Sequence, residues 1–284
     1  MLNTTLIRNY LDKKLHQYPS IYVEALVLTL IAVILSQILY AKESGIVALF
    51  FISILLQQRM QDILDENRKA IFIQHFSGLR ANMVTTVKII FIFVGIFSVF
   101  LAITLLFPKE LTFNLFKKQL EISQISPYSV VEMPFGSFSP LVQHNIIVLL
   151  LVMMFSFFFQ HIGAVFVLGL NASIWGVVFS IIGLNTIQQH AFQPILFYMG
   201  AALSIFPHLI IEATGYVVGS LSGIFFSKAC VKYEIGSDIF NQVAIAAIKM
   251  AICSTCLIIL SSFIESFFPS VVLSTFFPGL GGKI

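Results

Sequence analysis

The sequence predicts an all-α, polytopic helical membrane protein with about six to eight membrane segments. Hydrophobic residues make up 58% of its 284 positions and charged residues only 10%, whereas a soluble domain carries about 25% charge. The mean hydropathy is +0.97. Several apolar runs reach the roughly 20 residues needed to cross the hydrocarbon core. The net charge of +3 is small, so we expect the lipid bilayer as a partner and no nucleic acid.

The first third of the chain predicts a helical hairpin followed by a surface helix. Residues 21–40 form a run long enough to cross. Residues 45–58 are a shorter run, which either crosses back or only dips into the membrane. Residues 57–83 mix charges with apolar side chains, a pattern typical of an amphipathic helix at the membrane surface. We therefore expect an N-terminal unit over residues 1–89.

The remainder, residues 90–284, is expected to form one membrane domain. Its spans are predicted at residues 87–107, 145–159, 163–182, 193–226 and 240–263. The fourth run is too long for one straight crossing, and Pro207 should break or kink it. The tail, residues 267–284, is interrupted by Pro269 and Pro278, which favours a re-entrant or interfacial segment.

An outer segment lies between the first two of these spans, at residues 108–143. It should hold a half-apolar helix around residues 111–122, and it is too short to form its own core. We expect a protein partner, if there is one, to bind there. With seven crossings and a cytoplasmic N-terminus, ten lysines and arginines would lie inside and five outside. This distribution favours a cell-membrane protein with its N-terminus in the cytoplasm.

One stretch of the chain combines ionisable residues with regularly spaced glycines. His208, Glu212, Gly215, Gly219 and Gly223 fall within about 80° of one helical face. A carboxylate at bilayer depth costs on the order of 2.5 kcal/mol unless it is paired, neutralised or hydrated. Glycine at every fourth position lets another helix approach closely, as in a glycine zipper. The pattern predicts a buried helix-packing seam with a polar centre, which could also serve a homo-oligomer.

Three roles are open for the Glu212 carboxyl group. It could form a structural ion pair with Lys249, which lies inside the last span. It could line a proton or ion path together with His208, or it could stay protonated and hydrogen-bonded. Asn171 is central in its span, and an interhelical hydrogen bond is favoured there over contact with a substrate.

The sequence does not predict an enzyme, a metal site or a cofactor. His208 and Glu212 could supply two metal ligands, but no third ligand is evident. No span carries paired aspartates, and the chain has neither a P-loop nor a dinucleotide fingerprint. The three cysteines lie in or beside apolar runs, where packing roles are expected. We therefore expect no catalytic residue.

Several short motifs resemble those of the stage II sporulation protein M family. The run PHLIIE, from Pro207 to Glu212, is similar to the family motif Pro-His-Gly-x-x-Glu, with leucine where glycine is usual. Asn145 opens one span, and Asn171 lies where the family tends to have Asn-Gly. The closing run FIESFFP, which contains Glu265, is similar to the family's Phe-Ile-Glu-x-x-x-Thr-Pro but reaches its proline sooner. The resemblance covers about residues 143–269 and adds Glu265 to the candidate polar centre.

The resemblance implies a multipass membrane protein. In spore-forming bacteria the family member works with peptidoglycan-degrading partners in engulfment, and members also occur in organisms that make no spores. Two functions follow for this chain. The first is a non-enzymatic scaffold or organiser for partner proteins. The alternative is an ion- or proton-coupled transporter or channel that uses Glu212 and its neighbours.

Overall fold

A computed structural model describes residues 17–42, 44–123, 137–189 and 194–276. Within these ranges the chain forms eight helices and no strand, which confirms the predicted all-α fold. The helices, in chain order, are α1 (Gln17–Leu39), α2 (Ser44–Phe72), α3 (Gly78–Leu106), α4 (Lys109–Leu115), α5 (Lys117–Ser123), α6 (Phe138–Gln189), α7 (Pro194–Lys232) and α8 (Asp238–Phe276). Six of them are long and apolar enough to cross a membrane.

Helix α2 corrects the prediction of a separate surface helix at residues 57–83. It runs unbroken from Ser44 to Phe72, so the polar stretch extends the helix that begins in the short apolar run. Residues 73–77 then form the connection that leads into α3. The polar half of α2 makes two ion pairs with its neighbours, Arg59 with Glu24 of α1 and Glu66 with Lys88 of α3. The predicted boundary at residues 89 and 90 falls inside α3.

The described part of the outer segment packs onto the bundle. The helix expected around residues 111–122 is present as two short helices, α4 and α5. The Phe116 ring is fully buried and lies 5.1 Å from the Phe100 ring. The Ser44 hydroxyl donates to the Leu115 carbonyl at 3.3 Å. Residues 124–136 of the predicted partner segment lie outside the described residues.

Helix α6 is two helices joined by a sharp reversal. Gln160 has φ 51° and ψ −129°, a conformation that interrupts helical geometry. The Phe155 and Phe166 rings stack with centroids 6.0 Å apart, although eleven residues along a straight helix would separate them by about 16 Å. A Cβ atom on Gly163 would lie 2.2 Å from the Phe155 carbonyl oxygen, so only glycine allows this reversal. We call residues 138–159 the first arm and residues 161–189 the second arm.

The two arms match the predicted spans at residues 145–159 and 163–182. Because α6 contributes two passes, the six apolar helices provide seven apolar passes in the described part of the chain. Large apolar side chains remain exposed along these helices, as expected for a surface that meets lipid.

Helices α7 and α8 lie antiparallel. The Ser222 hydroxyl donates to the Ala247 carbonyl at 2.8 Å, and the Ser261 hydroxyl donates to the His208 carbonyl at 2.9 Å. Of the break or kink predicted at Pro207, the break is absent, because helix α7 continues through this residue. Helix α8 continues through Pro269 to Phe276. That part of the predicted re-entrant tail therefore extends the last helix, and residues 277–284 lie outside the described residues.

Candidate functional site

The predicted glycine seam packs inside the chain, against α8 and the first arm of α6. A Cβ atom on Gly215 would lie 2.9 Å from Ile258 Cδ1, and one on Gly219 would lie 2.5 Å from Leu149 Cδ1. A Cβ atom on Gly223 would lie 2.5 Å from the backbone oxygen of Met153. Side chains at these positions would force the helices apart, because such short contacts are sterically excluded.

Glu212 lies in the interior beside this seam. Its side chain is only 7% exposed, and it interacts with the side chain of Tyr216, one helical turn later. Tyr216 is itself 1% exposed, and its ring lies 6.5 Å from the ring of Trp175 in the second arm of α6. Within the described ranges, no lysine or arginine forms an ion pair with Glu212.

His208 lies one turn before Glu212 and links α7 to α8. Its side chain is 6% exposed, and its backbone carbonyl accepts the hydrogen bond from Ser261. The Nδ1 atom is buried and has no well-formed hydrogen bond to any described residue, although the Ser204 backbone lies close enough to interact with the ring. Burial of an unsatisfied ring nitrogen is costly, and it marks this position as unusual.

Asn145 joins the first arm of α6 to α8. It is 5% exposed, and its Nδ2 atom donates to the Ser262 hydroxyl at 3.2 Å. Its side chain also lies close enough to the half-buried carboxyl group of Glu265 to interact with it. Glu265 in turn lies within electrostatic range of Glu212. We call Asn145, His208, Glu212, Tyr216 and Glu265 the polar centre.

Two predicted site residues lie elsewhere. Lys249 is exposed on α8 and does not pair with Glu212. Because Ser222 lies opposite Ala247, Lys249 is displaced from Glu212 by about 12 Å along the helix axis. Asn171 donates to the Val167 carbonyl of its own helix at 2.9 Å, and among the described residues it does not form the hydrogen bond to another helix that the sequence had predicted.

Two members of the polar centre were missed as site residues. Tyr216 follows Glu212 by four positions, as Glu212 follows His208, so the helical spacing of polar residues could have identified it. In the sequence, Asn145 was noted only as part of the resemblance to a family. Its contact with Ser262 joins positions that are 117 residues apart. Nothing in the sequence alone indicates that pairing.

The polar centre contains groups that can exchange hydrogen bonds and protons. Two clefts in the described part of the chain, one beside Lys88 and Glu66 and one beside Lys109 and Asn185, are not lined by the polar centre. In the part of the chain that the structure describes, no group of three or more His, Cys, Asp or Glu side chains could hold a metal ion.

Comparison with known proteins gives one match. The family model described as Stage II sporulation protein M matches residues 84–269, which is more than half of the chain. No curated protein and no solved structure matches the chain. The matched stretch contains all five residues of the polar centre and both arms of α6, whereas α1 and α2 lie outside it.

Proposed function

Because the chain belongs to the stage II sporulation protein M family, we propose that it is a non-enzymatic scaffold that organises partner proteins at the cell membrane. Family membership and the apolar helices make it a multipass membrane protein. In sporulating relatives the partners would be cell-wall hydrolases acting in engulfment. This chain would then anchor and position them, and the partners would carry out the hydrolysis.

The single observation that carries this proposal is the tight packing along the glycine seam. Gly219 lies against both Leu149 of the first arm and Ser254 of α8, and Gly223 lies against the backbone of Met153. These contacts tie three helices into one unit around the polar centre. A tightly packed bundle suits a protein that holds others in place, since positioning needs a fixed geometry.

The outer segment, residues 108–143, is the partner site that we propose. In its described part, the side chains of Lys117, Lys118 and Glu121 are 54%, 42% and 48% exposed. A hydrogen bond from Lys118 lowers the pKa of the Glu121 carboxyl group, so this surface stays charged at neutral pH. A second copy of the chain is another candidate partner. The N-terminus would lie in the cytoplasm, in agreement with the distribution of basic residues.

Crosslinking in native membranes tests the scaffold. Exposed positions on α5 would be given a photo-reactive side chain, and crosslinked proteins would be identified by mass spectrometry. The scaffold predicts specific crosslinks that are lost in Gly219→Leu, which disrupts the seam, and retained in Gly78→Leu. Gly78 is the matched control because a Cβ atom there meets open space. A chain that crosslinks to no protein would contradict the proposal.

A second candidate function is an ion- or proton-coupled transporter or channel. The observation that favours it is the pair of acidic side chains, Glu212 and Glu265, with no cationic partner in the described ranges. Ionisable groups in the membrane interior mark ion pathways in many transporters. Purified protein in liposomes would then show a pH-dependent flux that Glu212→Gln abolishes while the fold survives. Absence of any proton or ion flux would rule this function out.

A further inference from the structure

We propose that the polar centre is a proton-binding site, with a proton held on the Glu212 carboxyl group in the folded protein. This inference concerns the same residues as the second candidate function, but it requires only that a proton binds. It needs no proton to cross the membrane. A scaffold could carry such a site equally well, because a bound proton neutralises an acidic group in its core.

The first argument is the charge balance around Glu212. The group is 7% exposed and lies within electrostatic range of a second carboxyl group, Glu265. Neither forms an ion pair with a lysine or arginine in the described ranges. A carboxyl group that is buried away from water and has no cationic partner resists ionisation, and a second carboxyl group within electrostatic range adds to this effect. A positive charge must therefore come from outside the chain, and the smallest one is a proton.

The second argument is the buried imidazole ring of His208. Ser261 lies opposite His208 and Ala247 lies opposite Ser222, a register that places Glu265 opposite Ser204. His208 therefore lies between the levels of the two acidic residues, one turn from each. Its Nδ1 atom is buried without a well-formed hydrogen bond, in a side chain that is 6% exposed. A histidine ring can bind and release a proton, so the site carries a further proton-binding group between the two acidic residues.

The groups in and around the polar centre favour a proton over a metal ion. The first arm of α6 contributes the amide of Asn145, and the second arm contributes the Trp175 ring, which lies against Tyr216. Helix α7 contributes the His208 imidazole and the Tyr216 hydroxyl, and α8 contributes Glu265 with the hydroxyls of Ser261 and Ser262. None of these side chains is a cation, and across the described ranges no group of three metal-ligating side chains forms. A proton needs neither additional ligands nor a cavity.

Carbodiimide labelling tests the proposal on the full chain in lipid nanodiscs. Dicyclohexylcarbodiimide is apolar and forms a stable adduct with protonated carboxyl groups in apolar surroundings. We expect an adduct on Glu212, located by peptide mass spectrometry. Its rate of formation should fall about tenfold for each pH unit above the pKa of the group, and Na⁺ should have no effect. Glu121 is the internal control, because it is 48% exposed and paired with Lys118, and it should stay unlabelled.

The wild-type protein alone decides the outcome, so no variant has to fold. Absence of an adduct on Glu212 at every pH, or labelling that does not depend on pH, would overturn the proposal. Protection by Na⁺ but not by choline would also overturn it, because a sodium ion would then occupy the site. The result is separable from the second candidate function. Labelling without flux supports the proton site and rejects the transporter. Flux without labelling supports the transporter and rejects the proton site.

Discussion

The hydroxyl group of Ser261 donates a hydrogen bond to the backbone carbonyl of His208 at 2.9 Å, between two buried positions on different helices. This contact sets the register in which α8 lies against α7. It therefore decides which side chains of α8 reach Glu212. The register places residue 257 opposite Glu212, with Lys249 and Glu265 each eight residues away from that position along α8. The two differ in burial: Lys249 is exposed, whereas Glu265 is half-buried and lies within electrostatic range of Glu212.

Loss of the Ser261 hydroxyl should destabilise the bundle. We expect Ser261→Ala to lower the free energy of unfolding by about 0.6 kcal/mol, the average for an interhelical hydrogen bond in a membrane protein. Thr214→Ala is the matched control, because Thr214 donates to Ile210 of its own helix and its loss leaves the interface intact. Reversible unfolding in detergent measures both. Equal effects of the two substitutions would contradict the role given to Ser261.

A larger side chain in the glycine seam should be more damaging. A Cβ atom on Gly223 would lie 2.5 Å from the Met153 backbone oxygen, and backbone cannot move aside as a flexible side chain can. We expect Gly223→Ala to cost about 1–3 kcal/mol of stability. Gly78→Ala should be neutral or slightly stabilising, because its Cβ meets open space. Unfolding of both variants in the same detergent checks this, and a neutral Gly223→Ala would show that the helices are not in contact there.

Lys249 and Glu212 should not be coupled energetically. Because Lys249 is exposed and displaced along the axis from Glu212, a double-mutant cycle of Lys249→Met and Glu212→Gln should be additive within about 0.5 kcal/mol. The free energies of unfolding of the four proteins give the coupling. A coupling energy above about 1 kcal/mol would contradict this account and support the ion pair between Lys249 and Glu212 that the sequence suggested.

The ion pair of Lys88 with Glu66 should contribute to stability, although it lies outside the polar centre. Lys88 is only 3% exposed, and its Nζ atom lies 2.5 Å from Glu66 Oε2 and 3.1 Å from Gln17 Oε1. Removing the carboxylate leaves a buried cation, so Glu66→Ala should cost about 1–3 kcal/mol. Asp62→Ala on the same helix is the control, because its partner Gln58 is exposed. Similar stabilities of the two variants would contradict this account.

The sequence predicted local features better than pairings between helices. The face shared by His208, Glu212 and the glycines follows from helical spacing alone. The interruption at Gln160 follows from a polar break between two apolar runs. The continuity of α7 through Pro207 could not be predicted, because it depends on neighbouring helices that shield the freed backbone groups. The partners of Glu212 also depend on how α8 and the first arm of α6 dock.

The central claim is that α6, α7 and α8 enclose the polar centre, and one crosslinking measurement tests it most directly. Asn145→Cys and Ser262→Cys would be combined in a chain whose cysteines, Cys230, Cys253 and Cys256, are replaced by alanine. The native side chains touch at 3.2 Å, so mild oxidation in native membranes should form a disulfide between them. The pair Glu212→Cys with Lys249→Cys should form none. A disulfide in the second pair, or none in the first, would contradict the arrangement.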